Sequence, residues 1–222
     1  MRTQQDRVGA AVMAGQAVYT RRTLDLYDVV VLGLSNALIW KCPTRRLFGH
    51  YNEYISDRHL DVGVGTGWFL DHCRFPTDRA DITLLDLNPV CLERASARIE
   101  RYAPKIVRAN VLEPVELETG PFDSIGLNYL LHCLPGALEQ KAVVFDHLKP
   151  FLAPGGVVFG STLLAEGVER SGMARALMRF YNAKGIFSNQ QDSVETLRRE
   201  LAIRFEQVRV EIVGCAALFA AR

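Results

Sequence analysis

The chain has 222 residues, 49% of them hydrophobic, which suits one α/β domain with a substantial core and a helical extension. Lysine and arginine number 26 against 25 acidic residues, a formal charge of +1, so there is no general pull toward nucleic acid or an anionic membrane. The start of the chain is polar with scattered arginines, which is not a signal-peptide pattern. The most apolar stretch, 29–40, is broken by Ser35 and Asn36 and is shorter than the roughly 20 apolar residues that span a bilayer.

Residues 1–16 have few large apolar side chains. From 18 to 40, Leu24, Tyr27, Val31, Leu34 and Leu38 recur at helical spacing, and Cys42-Pro43 marks a break. A short amphipathic stretch, 44–54, leads into the first strand at 58–62. A second strand is expected at 82–86, then a helix from Asn88-Pro89 to about 102, capped by the asparagine with proline in its first turn. Strands follow at 105–108 and 122–127, a helix at 138–148, and a fifth strand at 157–162 after a proline- and glycine-rich turn. Strands alternating with helices, several of them continuous apolar runs, indicate a doubly wound, mostly parallel sheet covered on both faces. The end of the chain departs from that rhythm. After a helix near 193–201, two strands at 208–213 and 216–220 flank Gly214-Cys215 and predict an antiparallel hairpin. Five cysteines, at 42, 73, 91, 133 and 215, form no CxxC pair and are odd in number, as in a reduced, cytoplasmic setting.

The most informative stretch follows the first strand. Asp61 precedes three glycines at alternate positions, Gly63, Gly65 and Gly67, and an apolar helix start comes next. Glycine permits positive φ and lets a ligand approach main-chain atoms with no Cβ in the way. Asp86 ends the second strand about 20 residues further on, the distance at which an acid accepts both ribose hydroxyls of an adenosine. Nicotinamide enzymes favour G-x-G-x-x-G, with a helix N-terminus facing a pyrophosphate. Here the spacing is G-x-G-x-G, with an acid two residues before the first glycine, an arrangement suited to a cationic ligand.

With Asp61 to Gly67, Leu85-Asp86-Leu87-Asn88, Ala109-Asn110-Val111-Leu112-Glu113-Pro114, the stretch from Phe122 to His132, the Leu-Lys-Pro-Phe-Leu-Ala-Pro-Gly-Gly turn and the closing hairpin, the chain resembles the class I S-adenosylmethionine-dependent methyltransferases over nearly all of 55–222. The resemblance implies a seven-stranded Rossmann-like sheet with N-terminal helices. It divides the chain into an extension or lid at 1–54 and a cofactor-binding domain at 55–222, with an insertion at about 165–190 capping the substrate. It implies that Asp61 and Gly63 to Gly67 lie along the methionine part of S-adenosylmethionine, that Asp86 binds ribose, and that Leu87 packs on adenine. Asn110, where the family usually has Asp, and Val111 would border the adenine edge. Asn128 would lie close to the transferred methyl group.

His132 stands near the expected methyl donor, either as a general base or as a packed residue shaping the pocket. His50, His59, His72 and His147 have no acidic or cysteine partners at metal-ligand spacing, so no metal site is expected. Tyr19, Arg21 and Tyr27 precede the domain where family members fold a helix over the cofactor. One of them is a candidate for the methionine carboxylate, the alternative being solvated or packed side chains. Met173, Met178, Phe180, Tyr181 and Phe187 either line an acceptor pocket or pack a helix on the sheet edge.

The acceptor is expected to be a small molecule rather than nucleic acid, since Asn128-Tyr129-Leu130-Leu131 lacks the tetrad of amino-methylating DNA enzymes. No membrane insertion is expected, and the protein is expected to be a monomer or homodimer. A nicotinamide-dependent oxidoreductase and a non-catalytic scaffold remain as alternatives.

Overall fold

A computed structural model describes residues 35–222. After one helical turn at Asn36–Leu38 come α1 (Thr44–Tyr54), β1 (Arg58–Val62), α2 (Trp68–His72), β2 (Asp81–Asp86), α3 (Pro89–Arg98), β3 (Lys105–Arg108) and β4 (Phe122–Asn128). Then follow α4 (Leu138–Lys141), α5 (Val143–Leu148), β5 (Leu152–Leu163), α6 (Gly172–Ala183), α7 (Val194–Arg204), β6 (Val208–Val213) and β7 (Ala216–Ala221). The seven strands form one sheet in the order β3-β2-β1-β4-β5-β7-β6. Strands β1 to β5 are parallel, and β7 runs antiparallel to both β5 and β6. This is the expected doubly wound sheet with its closing hairpin. Strand order reverses between β1 and β4, which puts a crevice at their carboxyl ends.

Strand alternation distributes the core. Leu60 and Val62 of β1, Leu85 of β2 and Val158 of β5 face a cluster built with α4, α5 and α7. Ile82 and Leu84 of β2 and Val157 and Phe159 of β5 face the opposite cluster, with α1, α2 and α3. Tyr51, Tyr54 and Ile55 share that second cluster with Val64 and Leu70, so α1 packs into the sheet's own core. A third cluster joins Trp40, Cys42 and Leu47 to Ala174 and Met178 of α6 and to the hairpin.

Local chemistry sets the helix starts. Asn88 accepts from the Val90 N–H at 2.9 Å with Pro89 next to it, Ser171 from Ala174 at 3.1 Å, and Ser193 from Thr196 at 3.0 Å. Two expectations shift. The helix expected at 138–148 is interrupted at Ala142, and β5 begins at Leu152 rather than 157. The Pro154-Gly155-Gly156 segment is carried within that strand, and its pairing with β4 slips between Phe122 and Ser124 to absorb it. Of the helix expected at 18–40, only its end falls within the described residues, and there the helical turn stops at Leu38.

Candidate active site

At the carboxyl ends of β1, β2 and β4 lies a cleft of ≈ 1090 Å³, its mouth included. Its floor is the glycine turn. Gly63 and Gly65 have φ of +73° and +53° and both line the cleft. A Cβ on Gly65 would meet nothing within 4 Å, so the main chain there is open to a ligand. A Cβ on Gly63 would come within 2.7 Å of Leu130 Cδ1 on the opposite wall. Gly67 serves packing instead. It caps α2 at φ +72°, and a Cβ there would press on Ala95 at 3.0 Å, so it lets α2 and α3 approach.

One side of the cleft is formed by Asp86, Leu87, Asn110 and Val111, the other by Asn128, Tyr129, Leu130 and Leu134. Among the described residues, the wall carries no lysine, arginine or histidine, which is poor provision for a pyrophosphate. Asp86 accepts from the Asn88 N–H at 2.8 Å and from the backbone of Gly65 and Val64. Burial outweighs these bonds and pushes its carboxyl up to about 6. Asn110 holds Glu113 through its amide at 2.9 Å and accepts from Leu112 N–H at 3.2 Å, which fixes its plane at the cleft edge.

Asn128 accepts from Ser161 Oγ at 3.2 Å, and its amide nitrogen is buried with no hydrogen-bond partner. A buried donor on a cleft wall costs free energy unless a ligand satisfies it. The open Gly65 backbone, this spare donor, a desolvated acid beside the apolar Leu87 and Val111, and the dearth of cations fit an adenosine carrying a cationic tail.

Asp61 is not on the cleft wall. It is 8% exposed, and Tyr51 of α1 donates to its Oδ2 at 2.6 Å. His59, two residues earlier on the same face of β1, is 3.4 Å from that oxygen. His59 therefore has one acidic neighbour, Asp61, and no cluster of His, Cys, Asp or Glu able to hold a metal occurs among the described residues.

His132 is also off the wall. It is fully enclosed, edge-on to Phe187 at 4.6 Å, and its Nδ1 accepts from the Leu163 N–H at 3.2 Å with Thr162 Oγ1 at 3.3 Å. Burial, with Lys141 nearby, pushes its pKa down to about 3. A nitrogen committed to a backbone N–H on so weak a base is not poised to take a proton from a substrate. Its carbonyl accepts from Ser188 N–H at 2.8 Å, tying the wall at 129–135 to the segment after α6. Lys141 strengthens that tie from 0% exposure, donating to Asp192 Oδ2 at 2.6 Å and to the Ser188 carbonyl. Burial drives Lys141 down and Asp192 up to about 6, both toward their neutral forms, against their mutual attraction.

Tyr19, Arg21 and Tyr27 lie outside the described residues. The α6 region packs chiefly on the Trp40 cluster: Met178 is buried and Tyr181 and Phe187 lean on it, while Met173 and Phe180 are exposed. Several wall residues are absent from the sequence-based candidates, Tyr129 and Trp68 the most informative of them. Tyr129 sits at φ +54°, strained for an aromatic residue, held by its N–H to Ser161 O at 2.8 Å and its hydroxyl to Asn36 at 3.0 Å. Trp68 opens α2 beside the glycines and stacks on His72 at 4.5 Å. Its place directly after Gly67 is the signal that could have found it.

Residues 60–158 match the family model described as a methyltransferase domain. Demethylluteothin O-methyltransferase of Streptomyces thioluteus is 39% identical over 219 residues, covering 99% of this chain and 95% of that one. The physcion biosynthesis cluster O-methyltransferase of Aspergillus chevalieri is 38% identical, covering 93% and 94%. Among solved structures, the complex of DhpI with S-adenosylhomocysteine superposes with a TM-score of 0.70 at 13% identity, covering 99% and 98%, a likeness of fold. With a whole-length relative at this identity, the glycine-floored cleft and the strand order, the chain belongs to the class I S-adenosylmethionine-dependent methyltransferases.

Proposed function

We propose that the protein methylates a hydroxyl group of a small, largely apolar molecule whose hydroxyl is acidic enough to ionise unaided, of the phenol or enol type. The observation that carries this is the whole-length similarity to two O-methyltransferases. The character of the cleft supports it, since the Leu130 and Leu134 side is apolar and His132 is engaged elsewhere.

S-adenosylmethionine, when bound, supplies a methyl group already activated on a cationic sulfur. The chain itself then contributes alignment and exclusion of water rather than covalent or acid catalysis. Asp86 is assigned the ribose hydroxyls, Leu87 and Val111 the faces of adenine, and Asn110 its polar edge. Gly63 and Gly65 present main chain to the amino-acid part. Asn128 and Tyr129 are assigned to the place where donor and acceptor meet, with Asn128's free amide N–H as a donor there. His132 is a positioning residue that holds the wall at 129–135. The insertion at 165–190 is assigned the acceptor side, because Ser188 fastens it to that wall through the His132 carbonyl. The near-neutral charge supports a small molecule over nucleic acid, and free thiols support a cytoplasmic protein, acting as monomer or homodimer. Among the described residues, no helix is long and apolar enough to cross a membrane.

The test is a set of hydroxylated aromatic and enolic acceptors of graded acidity, assayed with labelled S-adenosylmethionine. The pH at which kcat/KM levels off should move with the acceptor's own pKa. An inflection that stays fixed across acceptors would mean an enzyme base, and transfer only to amines would sink the hydroxyl assignment.

A further inference from the structure

Beneath the glycine turn lies a buried polar chain for which alignment on the donor leaves no role. Ser124 Oγ accepts from the Ser56 N–H at 2.9 Å and lies 2.8 Å from His59 Nδ1. Nε2 faces Asp61 Oδ2 at 3.4 Å, an oxygen that can only accept, and Tyr51 Oη at 3.3 Å, so the imidazole proton belongs on Nε2 and Ser124 donates to Nδ1. Tyr51 in turn donates to Asp61 Oδ2 at 2.6 Å, a short charge-assisted bond. His59 and Tyr51 are both 0% exposed.

The surroundings are shaped for this chain of contacts. His59 pairs with Ser124 across the β1–β4 register, and Gly126, two residues on, has no Cβ that would press on the imidazole at 3.1 Å. Tyr51 stacks on Phe69 at 5.3 Å and 17° and meets Phe159 edge-on at 5.4 Å, which locks its ring. Desolvation and Asp61 raise its pKa well above 10, so it remains a donor. Both side-chain bonds to Asp61 end on Oδ2, while 11% of the Asp61 side chain is exposed, next to Val62 and Gly63 of the cleft wall.

We propose that Tyr51, backed by His59 and Ser124, is a positioning residue that ties down Oδ2 of Asp61 and thereby leaves Oδ1 facing the cationic amino-acid end of the methyl donor. The proposal rests on the donor assignment above. It makes α1 a determinant of cofactor affinity although no part of α1 lines the cleft. A network of this kind, with Tyr51 and His59 shut off from water, holds one orientation of the carboxylate where solvent would allow several.

Tyr51→Phe removes one oxygen and keeps the stacked ring. The decisive comparison is calorimetric binding of S-adenosylhomocysteine and of 5′-methylthioadenosine, which shares the adenosine and lacks the amino-acid end. The variant should bind S-adenosylhomocysteine about tenfold more weakly and 5′-methylthioadenosine within about twofold of the unaltered protein. A merely structural role would weaken both ligands alike, and that result, or no loss for either, overturns the proposal. Asp61→Asn supplies the second arm: adding Tyr51→Phe to it should change S-adenosylhomocysteine affinity by less than about twofold, because the two side chains act as a unit. Fully additive losses would also overturn it. If the unaltered protein binds neither ligand, the donor assignment itself fails, and that outcome is separate from any effect of Tyr51.

Discussion

Lowering the pH from 7.5 to 5 should loosen the cofactor while stabilising the empty protein, and Asp86 is the reason for both. Burial raises its carboxyl from 3.8 to about 6 despite three backbone N–H groups that favour the anion. A carboxylate that accepts two ribose hydroxyls must be ionised to accept both. With a pKa near 6, about nine-tenths of Asp86 is protonated at pH 5 and only a few per cent at pH 7.5, so affinity should fall about tenfold over that interval. The linkage sign for folding is the opposite. A group whose folded pKa lies above its unfolded value contributes stability fully below the unfolded pKa, and that contribution is lost as pH rises through the folded value, here between about 4 and 6. Asp192, also raised to about 6, adds to the same trend without touching the cleft. Titration with S-adenosylhomocysteine, followed by calorimetry or by the fluorescence of Trp68 on the cleft wall, reads the first effect, and thermal unfolding of the empty protein reads the second. Near pH 6 the binding should also release about half a proton, visible as a dependence of the heat on the buffer. Asp86→Asn should bind more weakly and flatten the pH dependence. A dissociation constant unchanged from pH 5 to 7.5, or a slope that survives in Asp86→Asn, would refute the reasoning.

Gly63→Ala and Gly65→Ala should separate packing from ligand access: both strain a positive φ by about 1 kcal/mol, and the first adds a clash with Leu130 at 2.7 Å. Thermal unfolding should therefore single out Gly63→Ala, while calorimetry shows lost S-adenosylhomocysteine affinity in both. Lys141→Met leaves Asp192 buried alone and should cost about 3–5 kcal/mol in chemical denaturation, much of it recovered when Asp192→Leu is added; a harmless single substitution would deny the buried pair. His132→Leu should lower stability by about 1–3 kcal/mol, because the Leu163 N–H loses its acceptor, and leave the shape of the pH–rate profile unaltered. Loss of one limb of that profile would restore His132 as a base.

Strands β1, β3 and β6 are legible to the residue because apolar runs there are short and bracketed by breakers, and Gly214 announces the hairpin. The start of β5 is not, since a Pro-Gly-Gly segment reads as a turn and only pairing with β4 turns it into strand. This part of the cleft lining is legible for a similar reason: Gly63, Gly65, Asp86, Leu87, Asn110, Val111 and Asn128 stand at strand ends, which the parallel sheet brings to one edge.

What escapes a linear reading is the layer below, and its geometry was partly available. His59 and Asp61 are two apart on one strand, so they must share a face, and Leu47, Tyr51 and Tyr54 at helical spacing must share another. A buried tyrosine hydroxyl and a buried acid both require partners. Periodicity does not reveal that α1 lies over that face of β1, because this depends on which side of the sheet the chain crosses before it enters β1. Asp61 therefore reads from sequence as a ligand-facing acid. In the fold one oxygen belongs to Tyr51 and His59, and the other takes neither bond. With the role proposed for Oδ1, a single carboxylate would be divided between holding α1 to the sheet and receiving a charge, so that its orientation rather than its mere presence should set cofactor affinity.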